Sequence, residues 1–195
     1  EGGVNSLDGG NGFDVVSFVE LGAVEYDLTV GGAIGAGADT LISIEGMLGG
    51  ELRNRFWGNA ADNLLVGGGG DDDLFGRAGA DRLVGGDGDD LIDGGEGDDV
   101  LQIGSGADTA VGGPGKDLIS FAGVTMAVSF TLAATSWTQG SASATFSSIE
   151  GVIGSSQDDV LTGGINNDTL LGGAGADCLS GGDGDDWLDG QDYNA

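Results

Sequence analysis

Apolar side chains return at every ninth residue through the middle of the chain: Phe56, Leu65, Leu74, Leu83, Ile92, Leu101, Ala110 and Ile119. They return again as Leu161, Leu170, Leu179 and Leu188. Each sits two residues after a glycine-rich hexapeptide, as in Gly85-Gly86-Asp87-Gly88-Asp89-Asp90 and Gly94-Gly95-Glu96-Gly97-Asp98-Asp99. No stretch shows a convincing helical period. The nine-residue unit reads as a six-residue turn and a three-residue strand whose central residue points inward. Two units then make one full turn of a flattened right-handed roll. Residue i stacks on residue i+18, with strands roughly 4.8 Å apart along the stack. The pattern predicts an all-β, right-handed parallel β-roll, a solenoid of nonapeptides.

Coils begin at Gly49, Gly58, Gly67, Gly76, Gly85, Gly94, Ile103 and Gly112, eight consecutive nonapeptides over residues 49–120. A second run begins at Gly154, Gly163, Gly172 and Gly181. Ahead of the runs, Val24–Leu28 and Val128–Leu132 alternate apolar and polar residues, the mark of half-buried strands. They are expected to be wider strands that start each copy and cover an exposed edge of the solenoid. Residues 58–94 match 154–190 at an offset of 96, while Ser43-Ile44-Glu45-Gly46 matches Ser148-Ile149-Glu150-Gly151 at 105. The offsets differ by one coil, so the coil is the structural unit. The expected division is a first copy over 1–111 (strand segment 15–48, coils 49–111) and a second over 112–195 (strand segment 118–153, coils 154–195). The two are expected to form one continuous elongated solenoid. Glu1 falls in mid-repeat and the coil opening at Gly190 breaks off at Ala195, which suggests a piece of a longer protein.

The sixth position of the unit is acidic: Asp72, Asp81, Asp90, Asp99, Asp108 and Asp117, then Asp159, Asp168, Asp177 and Asp186. A solvated acidic face has no reason to keep a nine-residue frame. Stacking places Asp72, Asp90 and Asp108 on one edge of the roll and Asp81, Asp99 and Asp117 on the other, where bare carboxylates would repel. Composition sharpens the problem, with 44 glycines, one proline and 33 acids against 5 bases, a net charge of −28. Glycine is costly to order, so a fold completed by cations reconciles this charge with 39% apolar residues. Calcium suits such turns because it takes about 6–8 oxygens, backbone carbonyls included, whereas magnesium holds its waters in a tight octahedron. Glycines allow the positive φ that aims carbonyls inward.

The same composition excludes much. The chain has no His, which removes Ser-His-Asp and Cys-His catalysis and histidine zinc sites. Cys178 is the sole cysteine, so no internal disulfide forms, and with no base nearby it is read as an incidental outward thiol. Nucleic acid and anionic membranes are disfavoured for want of a basic face. No apolar run approaches the ~18 residues of a membrane span. Trp57, Trp137 and Trp187 occupy dissimilar places, which favours packing or isolated exposure over a sugar-stacking surface. Asp89/Asp90 and Asp185/Asp186 repeat at equivalent turns, which favours metal over glycosidase chemistry.

Twelve nonapeptides in register resemble the repeats-in-toxin (RTX, hemolysin-type) calcium-binding β-roll family, whose pattern is Gly-Gly-x-Gly-x-Asp-x-U-x. The resemblance implies that each ion sits between coils n and n+2, held by both sixth-position Asp side chains and by turn carbonyls. Carried over, the acid pairs are 72/90, 90/108, 81/99, 99/117, 159/177 and 168/186. Six Ca²⁺ would offset 12 of the 28 negative charges. The carbonyl donors would come from Gly67, Gly68, Gly70, Gly76, Gly79, Gly85, Gly86, Gly88, Gly94, Gly95, Gly97, Gly104, Gly106, Gly112, Gly113 and Gly115. In the second run they would come from Gly163, Gly164, Gly172, Gly173, Gly175, Gly181, Gly182 and Gly184. Departures from the pattern mark weaker candidates. Asn54 and Asn63 replace Asp, Glu45 and Glu150 fall in frame at position 6, and Asp14 and Asp39 lie in isolated coils. Ile103 replaces a first glycine, and Lys116 puts a positive charge beside the Asp117 turn.

The function implied is a non-catalytic, calcium-folded module of a protein exported by a type I channel to the surroundings or surface of a Gram-negative bacterium. Calcium ions are its partners, with self-association or polysaccharide contact arising through the parent protein. Two alternatives stand beside it: a repeat unit of a surface-layer or adhesin-type structural protein, and the tail of a secreted protease, lipase or polysaccharide-modifying enzyme.

Overall fold

The computed structural model describes residues 5–29, 32–33 and 39–190. The expected half-coils at residues 1–4 and 191–195, and parts of segment 15–48, lie outside the described residues. Among the described residues there is no helix; short strands form a ten-stranded face, a nine-stranded face and a three-stranded face. The chain is an all-β parallel β-roll.

Its register follows the nine-residue frame. Leu65 pairs with Leu83 and Leu83 with Leu101 on one face, and Leu74 with Ile92 and Ile92 with Ala110 on the other, each a step of eighteen residues. Phe56, Leu65, Leu74, Leu83, Ile92, Leu101 and Ile119 have no exposed surface. Burying each such side chain contributes about 1.5–3 kcal/mol. Leu161 and Leu170 extend this column, while Leu179 is half-buried and Leu188 is 44% exposed. The column opens there because no described rung stacks on the last turns.

The two alternating segments differ from the sequence expectation. They are three-residue rungs, Glu25–Asp27 and Ser129–Thr131, no wider than the nonapeptide strands. They pair in parallel with Arg55–Trp57 and Val160–Thr162. Their offsets to the next rung are 30 and 31 residues rather than eighteen. The surplus residues form antiparallel ribbons, Glu25–Asp27 with Gly32–Ala33 and Ser136–Gln139 with Ala142–Ser147. Alternation reports which side is buried; it does not report where a rung ends. Aromatic rings pack beneath these segments: Phe18 stacks on Tyr26 at 4.2 Å, and Trp137 meets Phe121 edge-on at 4.8 Å. Trp137 is therefore core, Trp57 stacks half-buried on Phe75, and Trp187 is 63% exposed. Cys178 is an exposed free thiol.

The nine-stranded face runs without a break from Val15–Ser17 to Trp187–Asp189. The opposite face is interrupted by the Ser136–Gln139 ribbon, after which the three-stranded face begins. One edge of the roll is thus continuous and the other is divided.

Candidate metal centres

Inward positions alternate through coils 67–102, 112–120 and 154–171, where the apolar eighth residue, the first glycine and the sixth-position acid are all buried. Eight acids of the series, from Asp72 to Asp168, are at most 5% exposed, and Asp177 and Asp186, in the open last turns, are half-buried. The carboxylates form ladders. The backbone N–H of Asp72 donates to Asp90 Oδ1 (2.9 Å), that of Asp90 to Asp108 Oδ1 (3.1 Å), that of Asp81 to Asp99 Oδ1 (2.8 Å) and that of Asp99 to Asp117 Oδ1 (2.9 Å). Asp159 and Asp168 donate in the same way to Asp177 and Asp186.

The second oxygen is different. Oδ2 of Asp72, Asp81, Asp90, Asp99, Asp117 and Asp177 is buried with no hydrogen-bond partner. A buried acceptor left without a partner costs about 1–3 kcal/mol, more when charged. Beside each Oδ2 lies the first glycine of the same turn. A β-carbon at Gly67 would collide with Asp72 Oδ2 and with the carbonyl oxygen of Gly85 at 2.8 Å. The turn therefore brings a carboxylate oxygen and a carbonyl oxygen together with no hydrogen between them. Asp108, Asp159 and Asp168 are met otherwise: their Oδ2 accepts the N–H of the second turn residue, Gly104, Ser155 or Gly164. Positive φ marks the expected glycines at the second and fourth turn positions, such as Gly86 (115°) and Gly88 (131°), but not Gly104 or Gly164.

Burial raises the acids. Asp81 and Asp90 are pushed up to about 7, and Asp72, Asp108 and Asp117 to about 6. Loss of water is the main cause, the backbone N–H bonds oppose it, and neighbouring carboxylates add to it. Asp99 is raised for the same reasons. These groups hold charge only against a penalty, which a proton or a cation relieves. No three carboxylate or thiolate side chains converge on one point among the described residues. Two carboxylates together with turn carbonyls would make a donor set suited to a hard ion.

The structure joins some candidates that spacing separates. Asp14 donates its N–H to Glu45 Oε2 (2.9 Å), and Asp117 donates to Glu150 Oε2 (3.0 Å). Asn63 and Asp168 follow the two glutamates by one strand step, since Leu64 and Thr169 donate their N–H to the carbonyls of Glu45 and Glu150. The continuous edge thus carries one column: Asp14, Glu45, Asn63, Asp81, Asp99, Asp117, Glu150, Asp168 and Asp186. Asp14 is not isolated, as spacing alone suggested. Irregular offsets of 31 and 33 residues hide this continuity. The signal that could have shown it is the shared Ser-Ile-Glu-Gly, whose Ser43 and Ser148 both adopt positive φ. On the divided edge, Asn54, Asp72, Asp90 and Asp108 form one column, whose next residue is Ala144. Asp159 and Asp177 form another, entered from the N–H of Val128. Asp39 directly precedes the Thr40–Ile42 rung of the ten-stranded face and accepts the N–H of Asn5 (2.7 Å) as the ladder acids do, while its Oδ2 accepts from Tyr26.

An outer ladder escaped the sequence reading. The fifth-position residues Asp62, Asp71, Asp89, Asp98, Asp158 and Asn167 each accept the N–H of the residue eighteen positions later, at 2.8–3.0 Å. This is the structural reason for the paired acids. The sequence reading likewise passed over Arg77 and Asp27, which form a bidentate pair at 2.7–2.8 Å.

A family model for the RTX calcium-binding nonapeptide repeat, in four copies, matches residues 48–83, 66–101, 75–110, 102–120 and 153–188. No curated protein matches the chain.

Proposed function

The chain belongs to the family of RTX calcium-binding nonapeptide repeats, and on that premise we propose that its sixth-position acids hold Ca²⁺ in pairs eighteen residues apart. As a member of that family it is a calcium-binding β-roll module. The observation that supports the residue assignment is the row of buried, partnerless Oδ2 atoms. Pairs 72/90, 81/99 and 99/117 have that atom free on both acids and are the tightest sites. Pairs 90/108 and 159/177 have it free on one acid, and 168/186 lies in the open last turns. The turn glycines supply the remaining oxygens as carbonyls. Glu150 extends the series on the continuous edge, standing between Asp117 and Asp168. Asp39, whose Oδ1 is taken by Asn5 and whose Oδ2 is taken by Tyr26, is left out of the ligand set.

Ion binding is then folding free energy, because the unfolded chain has no preformed site. Such a chain stays open where calcium is scarce and closes where it is plentiful, which fits export in the unfolded state and folding outside a Gram-negative cell. We take the module itself as non-catalytic, since its sixth-position acids recur turn after turn in the same ladder of backbone bonds. The division into copies over 1–111 and 112–195, stacked as one solenoid, is supported by the nine-stranded face that spans both.

Protons and calcium relieve the same burial penalty, so pH tests the assignment without metal. The folded pKa of Asp81 and Asp90, about 7, lies above the ordinary 3.8. The folded state therefore binds more protons than the unfolded chain between those values. This contribution is fully present below about pH 4 and is lost as pH rises through about 6–7. In chelator, the far-UV circular dichroism strand signal is expected to grow on acidification from pH 7.5 to 4.5. A signal that stays flat or falls would contradict the assignment.

A further inference from the structure

At Asp72 and Asp81 two acceptors meet: the sixth-position Oδ2 and the first-glycine carbonyl of the turn eighteen residues later, Gly85 O and Gly94 O. Coil 49–54 breaks this rule. There the place of Oδ2 is taken by a donor, because a β-carbon at Gly49 would meet Asn54 Nδ2 at 2.6 Å and also the carbonyl oxygen of Gly67. Asn54 Nδ2 donates to Leu52 O (2.6 Å) and Gly67 O (3.1 Å), and lies 3.3 Å from Asp72 Oδ1. Three oxygens converge on one nitrogen. The reverse amide orientation would put an oxygen against two carbonyls and a carboxylate, so the network fixes the side chain.

The neighbouring coil on the opposite edge keeps two acceptors together, because a β-carbon at Gly58 would meet both Asn63 Oδ1 and the carbonyl oxygen of Gly76. Asn63 stands at the sixth position and its Oδ1 accepts the N–H of Asn59 at 2.7 Å. The first-glycine carbonyl of that coil, Gly58 O, accepts a bond from Arg77 Nη1 at 2.8 Å. Arg77 occupies a second-glycine position with φ of 83°, a conformation that a long side chain rarely adopts. Its guanidinium also makes the bidentate pair with Asp27 and reaches Thr29 Oγ1 at 2.9 Å. Asp27 is 8% exposed; burial alone would raise it, but the bonds from Arg77 and Thr29 prevail and hold it at about 2. The strained turn is thus tied to the Glu25–Asp27 rung ahead of the repeats.

We infer that coil 49–54 is closed by the protein's own donor, the Asn54 amide, in place of an ion. It forms an ion-independent start on which the calcium-dependent rungs stack, braced by the Arg77 tie to the Glu25–Asp27 rung. The inference rests on the reading that calcium bridges acids eighteen residues apart. It says where that rule stops and what replaces the metal.

The test is a gain of binding, counted by native mass spectrometry of the full chain in calcium. Asn54→Asp is expected to add one ion relative to the wild-type chain. A wild-type chain that binds calcium and an Asn54→Asp chain with the same count would overturn the inference while sparing its premise. A wild-type chain with no bound calcium would remove the premise itself. Should the variant fail to fold, amide exchange of the wild-type chain in chelator decides. Residues 46–58 are expected to exchange about tenfold more slowly than residues 85–120. Uniform exchange across both segments would sink the inference.

Discussion

Replacing Asp90 by Ala is expected to raise the calcium concentration needed for folding far more than replacing Asp186. Asp90 stands in the middle of its column. Its Oδ1 accepts the N–H of Asp72, its own N–H donates to Asp108 Oδ1, and its Oδ2 is buried without a partner. It belongs to two proposed ion pairs, 72/90 and 90/108. The substitution removes a charge-assisted hydrogen bond, about 1.5–3 kcal/mol, before the loss of either ion is counted. That bond alone corresponds to about a ten- to hundredfold change in an equilibrium constant. Asp186 is half-buried at the end of its column and serves one pair. Calcium titrations followed by circular dichroism should show a midpoint shift of about tenfold or more for Asp90→Ala and a few-fold at most for Asp186→Ala. Equal shifts would mean that the acids act as a diffuse charge and not as paired ligands.

Gly86→Ala is the second large effect, and Gly10→Ala is its control. Both glycines have positive φ, 115° and 86°, so an alanine at either position carries backbone strain of about 1–3 kcal/mol. Around Gly10 an added β-carbon would meet nothing within 4 Å. At Gly86 it would run into the carbonyl of Gly68 in the turn one full circuit earlier. Relief requires the turns to move apart, which separates Asp72 from Asp90 and spoils any site between them. Gly86→Ala is therefore expected to bind at least one ion fewer and to shift the folding midpoint beyond Gly10→Ala by about tenfold. Matching midpoints and ion counts for the two variants would show that close approach between turns is unimportant here.

What the sequence made legible was everything tied to a strict period. Leu65, Leu83 and Leu101 announce both the core and the eighteen-residue stacking step, because a two-coil circuit leaves each of them one inward direction. The sixth-position acids were legible for the same reason. What it hid depends on insertions. Glu45 and Glu150 rejoin the continuous edge after excursions of 31 and 33 residues, and no period reports that. The rungs at Tyr26 and Phe130 could be read as buried strands, but their length is set by the loops that follow, not by their alternation. Arg77 was invisible because a single Arg in place of glycine looks like drift. Only its bonds to Asp27 and Gly58 reveal a role.

The most direct measurement is small-angle scattering with far-UV circular dichroism on the same sample, in excess chelator and then in millimolar calcium. A chain carrying −28 and no ions is expected to lose most of its strand signal and to expand towards the roughly 45 Å radius of gyration of an unfolded chain this long. Calcium is expected to restore the signal and collapse the radius, and magnesium at the same concentration is not. Identical radius and strand content in chelator and in calcium would contradict the account, because the stacked acids would then tolerate one another without the metal.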